Sequence, residues 1–259
     1  MPPYTVFIAK LKRRSSTDLV KSMQSFVQGI EADMRAAAFS GTMEEKLQAV
    51  AEAVWVFLKK TLAAMRENAC WAEESPEQWA HSKESLEIFL FTKLHRTLYV
   101  EDRAGDAELF ERIQTLSFLS PEHLDIKSIV GDGVMALRRP VEVLGALSAA
   151  PNPLGKVLCL RECCAAISQS LSEFKQDGKF AGADEFLPVL ILTIKEANPR
   201  QLKSNINYIL HFTDPSKLAS EAGYLLTQFV SAVQFLETVD ASALTISPLE
   251  FEVAVARCR

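Results

Sequence analysis

The chain has 259 residues, 48% apolar and 24% charged, with 10 glycines, too few for a turn-rich all-β fold and enough chain for one large domain or two small ones. A formal net charge of −5 gives no basic footprint for nucleic acid. The longest apolar run, Phe186 to Leu192, is far short of the ~20 residues a spanning helix needs, so at most peripheral membrane contact is expected.

In chain order, Met1-Pro2-Pro3-Tyr4 lacks the basic and apolar regions of a signal peptide. Tyr4 to Ala9 is the one stretch that reads as a possible strand. Lys10-Leu11-Lys12-Arg13-Arg14 reads as a solvated terminal arm, with weak contact to anionic lipid as the alternative. Leu19, Met23, Phe26, Ile30 and Met34 step by three or four and predict a helix with one apolar face. Thr42 with Glu45 forms a capping box that opens a second helix, striped by Leu47, Val50, Val54, Leu58, Leu62 and Met65. Ser75-Pro76-Glu77-Gln78 starts a third, which carries Trp79, Leu86, Leu90, Leu94 and Leu98. Asp106 is positioned to cap a fourth, with Leu109, Ile113 and Leu116. Together they predict an N-terminal helical bundle.

Ser120-Pro121-Glu122-His123 starts a new unit, Val130 to Val134 reads as a loop, and helix resumes at Pro140 to Leu144. Pro151-Asn152-Pro153 is the clearest break before a long amphipathic helix, Leu154 to Leu171, and Gln176 to Lys179 is a polar loop. Past Asn198-Pro199, where Asn198 is expected to cap the next helix, come Leu202, Ile206, Ile209 and Leu210. Asp214-Pro215-Ser216 then precedes a long helix with Leu226, Phe229, Val233 and Leu236, and Ser247-Pro248-Leu249-Glu250 opens a short last one.

Chemistry of the covalent kind has little support. The sequence holds no Gly-rich phosphate loop, no Gly-x-Ser-x-Gly and no His-Glu-x-x-His. His81, His95, His123 and His211 are scattered and read as structural. Of the five cysteines, Cys159 and Cys163 share a helix face but lack further zinc ligands. Buried thiols in a reducing, cytoplasmic compartment are expected, with no metal site.

The stretch that stands apart is Gly182-Ala183-Asp184-Glu185-Phe186-Leu187-Pro188-Val189-Leu190. Pro188 lacks an N–H and is expected close to a helix start, with Asp184 as the N-cap. Its carboxylate suits the positive end of the helix dipole. Residue chemistry alone leaves two roles open for this acid, a cap or a group that reaches into a partner.

With Ala197-Asn198-Pro199, Leu202-x-Ser204-Asn205, Tyr208-Ile209, Gly223-Tyr224-Leu225-Leu226-Thr227 and Asp240-Ala241, this stretch resembles the vacuolar protein sorting 9 domain. That domain is the catalytic module of guanine nucleotide exchange factors for early-endosomal Rab GTPases. Ser120 to Ile126 and Cys163-Cys164 further resemble the compact plant members of the family. The resemblance implies an all-α protein, a helical bundle over 1–102 packed against an exchange domain over 103–254. It places the family's aspartate finger on Asp184 and the tyrosine that works beside it on Tyr224. Pro188 and Thr227 fall on positions lining the groove for the GTPase switch regions, with Leu187 and Leu225 beside them in the GTPase-binding surface. First-turn dipole stabilisation suffices for Glu185. The sequence departs from the family at Leu225-Leu226, where aromatics are common, and at Gln228, where Asn is common. Asn205 is expected to bond between helices.

The implied protein needs no cofactor of its own and acts on the GDP and magnesium held by a Rab GTPase, in the cytoplasm and at endosomal membranes. A non-catalytic helical adaptor that binds a small GTPase or another trafficking partner is the competing reading.

Overall fold

A proline opens the first helix of the computed structural model, which describes residues 2–36, 40–127, 132–173, 183–219 and 221–258. α1 (Pro3–Leu11) replaces the strand expected over Tyr4 to Ala9. Pro3 supplies the φ of a first helical turn, and Phe7 and Leu11, one turn apart, are the residues buried. The neighbouring basic cluster is not a free arm. Lys10 lies in α1, and its Nζ reaches Glu74 Oε1 at 2.5 Å and approaches the Trp71 ring at 5.9 Å.

α2 (Thr17–Arg35), α3 (Met43–Glu67) and α4 (Pro76–Leu98) follow. Both predicted capping boxes close. Glu45 N donates to Thr42 Oγ1 at 3.2 Å while Thr42 N donates to Glu45 Oε2 at 2.7 Å. Gln78 N donates to Ser75 Oγ at 3.2 Å and Ser75 N to Gln78 Oε1 at 3.0 Å. α4 packs against α1, α2 and α3, which buries Trp71, Leu86, Leu90, Phe91, Leu94 and Leu98. These helices belong to one compact unit, Met1–Val100 with Pro151–Leu154 and Leu210–Asp214.

The second unit comprises Glu101–Ala150, Gly155–Ile209 and Pro215–Arg259. Its first helix, α5 (Arg103–Thr115), is capped by Asp102, whose carboxylate accepts from Gly105 N at 2.9 Å. The expected cap, Asp106, lies inside the helix and is buried. α5 joins this unit rather than the N-terminal bundle, where α1 is the helix the sequence did not predict. A short 3₁₀ turn over Glu122–Leu124 stands where a new helix was expected. A 3₁₀ segment, Asp132–Leu137, leads into α6 (Arg138–Gly145). Val130 and Gly131 of the expected loop, and the polar loop Gln176 to Lys179, lie outside the described residues.

α7 (Pro153–Glu173), α8 (Ala183–Ala197), α9 (Leu202–Phe212), α10 (Pro215–Leu218), α11 (Glu221–Thr238) and α12 (Pro248–Cys258) complete the chain. Ser247 and Glu250 cap α12 reciprocally at 3.2 and 3.1 Å. Described residues form no strand, so the chain is all-α. All five cysteines are free thiols, with Cys70, Cys163 and Cys164 buried. Burial pushes the Cys164 thiol up to about 12 and raises that of Cys163 as well. Among the described residues no group of His, Cys, Asp or Glu side chains could hold a metal ion. No described helix is long and apolar enough to cross a membrane.

Candidate functional site

The middle of α8, Val189 to Ile194, is apolar on every side apart from Thr193, and the structure uses it that way. Residues 189–195 are buried without interruption, so this helix runs through the middle of the second unit rather than along its side. α6 and α11 pack directly on it. Its two ends emerge: Glu185, Phe186, Leu187 and Pro188 are half-buried at the start, and Glu196 is exposed at the finish.

The helix starts at Ala183, so Asp184 sits within the first turn instead of at the N-cap, and Pro188 lies inside the helix instead of opening it. The position is tolerated because the missing N–H of Pro188 would have met the Asp184 carbonyl, one of the earliest in the helix. A proline rule applied without the flanking turn therefore placed the start too late. The side chain of Asp184 lies outside the described residues, as does Gly182.

The far end of α8 is closed by Asn198 in the left-handed region, φ 34°. Its N–H returns to Ile194 O at 2.8 Å, and its Nδ2 donates to Phe110 O at 3.2 Å. Asn198 thus ends one helix and ties it to α5, rather than capping the next. The cap of α9 comes from Asp106. Its carboxylate accepts from Ser204 N at 3.0 Å and from Ser204 Oγ at 2.5 Å. Ser204 Oγ in turn accepts from Asp102 N at 2.9 Å. One buried acid therefore satisfies a helix start that is distant in sequence, a cap that no local motif announces.

Asn205 bonds between helices, as expected. Its Nδ2 donates to Ser148 Oγ at 3.0 Å and to Gln201 O at 2.7 Å. Its Oδ1 accepts from Lys156 Nζ at 2.5 Å, and the same ammonium donates to Leu147 O at 3.1 Å. Lys156 is fully buried, and that burial lowers its pKa to about 8, with nearby Cys159 acting weakly in the opposite sense.

α11 lies against α8 and carries the remaining predicted residues. Tyr224 is 61% exposed, which removes it from the core. Thr227 is exposed as well, its hydroxyl turned back to Gly223 O at 2.9 Å. About 60° of helix rotation separates these two, so they share the outer face of α11. Leu225 and Leu187 are half-buried and pack against the core cluster. Of the positions that depart from the family pattern, Leu226 is only 4% exposed and belongs to the core, whereas Leu225 and Gln228 come partway to the surface.

Leu225 and Phe186 also line a groove of about 470 Å³ with Leu158, Arg161 and Ala165 of α7. Leu158 is 47% exposed although it is a large aliphatic residue. Sequence reasoning missed it and also Lys156. For Leu158 the signal was available, an apolar residue standing off the buried stripe of Val157, Leu160, Cys164 and Ile167.

The described residues thus offer an exposed helical face and an open groove at the start of a buried helix, the equipment of a docking module. Comparison with known proteins makes the class particular. Residues 138–241 match the vacuolar sorting protein 9 (VPS9) domain, from the start of α6 to just beyond α11. The chain belongs to the family of proteins that carry this domain. It is 32% identical over 252 residues to the vacuolar protein sorting-associated protein 9A of Arabidopsis thaliana, covering 95% of this chain and 46% of that one. Its counterpart in Oryza sativa subsp. japonica is 33% identical over 252 residues, 95% of this chain and 50% of the relative. The human Rab5 GDP/GTP exchange factor is 30% identical over 188 residues, 68% of this chain and 37% of that protein. The chain spans about half the length of the plant relatives it matches.

Proposed function

We propose that the protein is a guanine nucleotide exchange factor that accelerates GDP release from a Rab5-class GTPase of the early endosome. The observation that carries this reading is the VPS9 domain over residues 138–241, within which Asp184, Pro188, Tyr224 and Thr227 fall on two helices packed against each other. A relative 30% identical to this chain is named for Rab5 GDP/GTP exchange. The exchange domain is assigned to 103–254 and the helical bundle to 1–102.

Bound GDP is held by backbone amides, a lysine and Mg²⁺ bridging the phosphates. An exchange factor weakens those contacts and stabilises the emptied site. Asp184 supplies the carboxylate, which competes for the cation and gives the orphaned lysine a new partner. A first-turn position sets Asp184 at the positive end of the helix dipole, and the buried body of α8 holds the turn in place. Tyr224 works beside it, and Pro188, Thr227, Leu187 and Leu225 contribute to the surface for the switch regions. The protein makes no covalent intermediate and uses only the nucleotide and metal of its partner. It works in the cytoplasm, with peripheral recruitment to endosomal membranes.

Release of fluorescent GDP from purified Rab5-class GTPase tests the proposal. Asp184→Ala is expected to lower stimulation about 10²-fold or more, by analogy with removal of one transition-state electrostatic contact. Wild-type-like release by that variant would remove the finger assignment. Binding across nucleotide states separates exchange from adaptor function, because an exchange factor holds the nucleotide-free GTPase most tightly.

A further inference from the structure

We propose that the groove between α7, α8 and α11 is a second docking subsite for the GTPase, which seats an apolar side chain of the partner and sets how tightly it is held. The inference rests on the exchange-factor reading and extends it from Leu225, the one predicted residue in the groove, to the outward row of α7. Successive helical residues are rotated by about 100°. Leu225 therefore lies about 100° from Tyr224 on one side, and Thr227 about 60° from it on the other. Tyr224, 61% exposed, forms a ridge between two flanks of α11. Phe186 and Leu225 line the groove, whereas Pro188 and Thr227 do not.

Interface size requires that one flank alone is not enough. A specific protein–protein interface buries about 800 Å² on each partner, or about 20 to 30 residues. Tyr224 and Thr227 are two residues on one helix, far short of that number, so a GTPase seated on the Tyr224 ridge extends beyond them. The groove is the continuation on the Leu225 side, directly adjacent in both α8 and α11. Leu158, Phe186 and Leu225 are its apolar walls, and Arg161, Glu162 and Glu221 give it the charged border of an interface rim. Leu158 is a large aliphatic side chain left 47% exposed there, and partner contact would cover it.

Leu158→Asp and Ala165→Arg test the subsite, the first by charging its wall and the second by filling it. Both positions are exposed on α7, so neither change touches the core. Exchange of fluorescent GDP is measured at increasing exchange-factor concentration, with helical circular dichroism melts as the check on folding. Each variant is expected to raise the half-saturating concentration about tenfold, the loss of one interface anchor, while the saturating rate stays at the wild-type value. An unchanged concentration dependence in both folded variants would overturn the subsite. So would a fall in saturating rate with unchanged half-saturation, which would put the groove in the chemistry of release rather than in docking. If the wild-type protein fails to release GDP from the GTPase, the exchange-factor reading itself falls, and the subsite with it.

Discussion

Lys156 gives the most exacting physical prediction. Its ammonium is fully buried, held by Leu147 O and Asn205 Oδ1, and burial lowers its pKa from 10.5 to about 8. In the unfolded chain it returns to the ordinary value, so between those two limits the unfolded state binds the extra proton. Stability therefore rises with pH across the window from about 8 to 10.5, and it is lost again as pH falls through about 8. At ~1.4 kcal/mol per pH unit the full change is about 3 kcal/mol. The wild-type curve alone does not display it. Cys163, Cys164 and Tyr208 have raised values through burial, so they keep their protons in the folded state and oppose the trend as pH rises. Lys156→Met removes the lysine and leaves those groups in place. Chemical denaturation of both proteins from pH 7 to 10.5 should show wild type gaining about 3 kcal/mol relative to the variant. A difference that stays flat across the window would refute the buried-ammonium argument.

Asp106→Ala should destabilise the second unit by about 2 to 4 kcal/mol, because it removes the cap of α9 and strands the Ser204 N–H and hydroxyl in the interior. Thermal melts check it, and Asp106→Asn should recover part of the loss by keeping one acceptor. Thr42→Ala should cost about 1 kcal/mol through the lost capping box of α3, read by the same melts, with fluorescent-GDP exchange unchanged at permissive temperature.

Local signals were legible where the partners are close in sequence. Thr42 with Glu45, Ser75 with Gln78 and Ser247 with Glu250 each bond across three residues, and each marks a helix start that the structure has. Long-range caps were not legible. Asp106 serves Ser204, nearly a hundred residues away, and the cap of α5 fell to Asp102 instead. α1 was misread because Tyr4 to Ile8 are all aromatic or β-branched, residues that strands favour, whereas burial follows Phe7 and Leu11 at helical spacing. Lys156 and Leu158 invert the usual rule for a charged and an apolar residue, and only the packing reveals why one is buried and the other exposed. An aromatic residue such as Tyr224 fits core or surface equally on residue type, and its 61% exposure places it at the surface.

The buried body of α8 divides what can change from what cannot. Residues 189–195 have no outward face, so a substitution there disturbs neighbours on every side. α7 and α11 each keep an outward row, which holds Leu158, Ala165, Tyr224 and Thr227. If the exchange-factor proposal holds, partner preference is adjustable on the two flanking helices without rebuilding the buried element that carries Asp184.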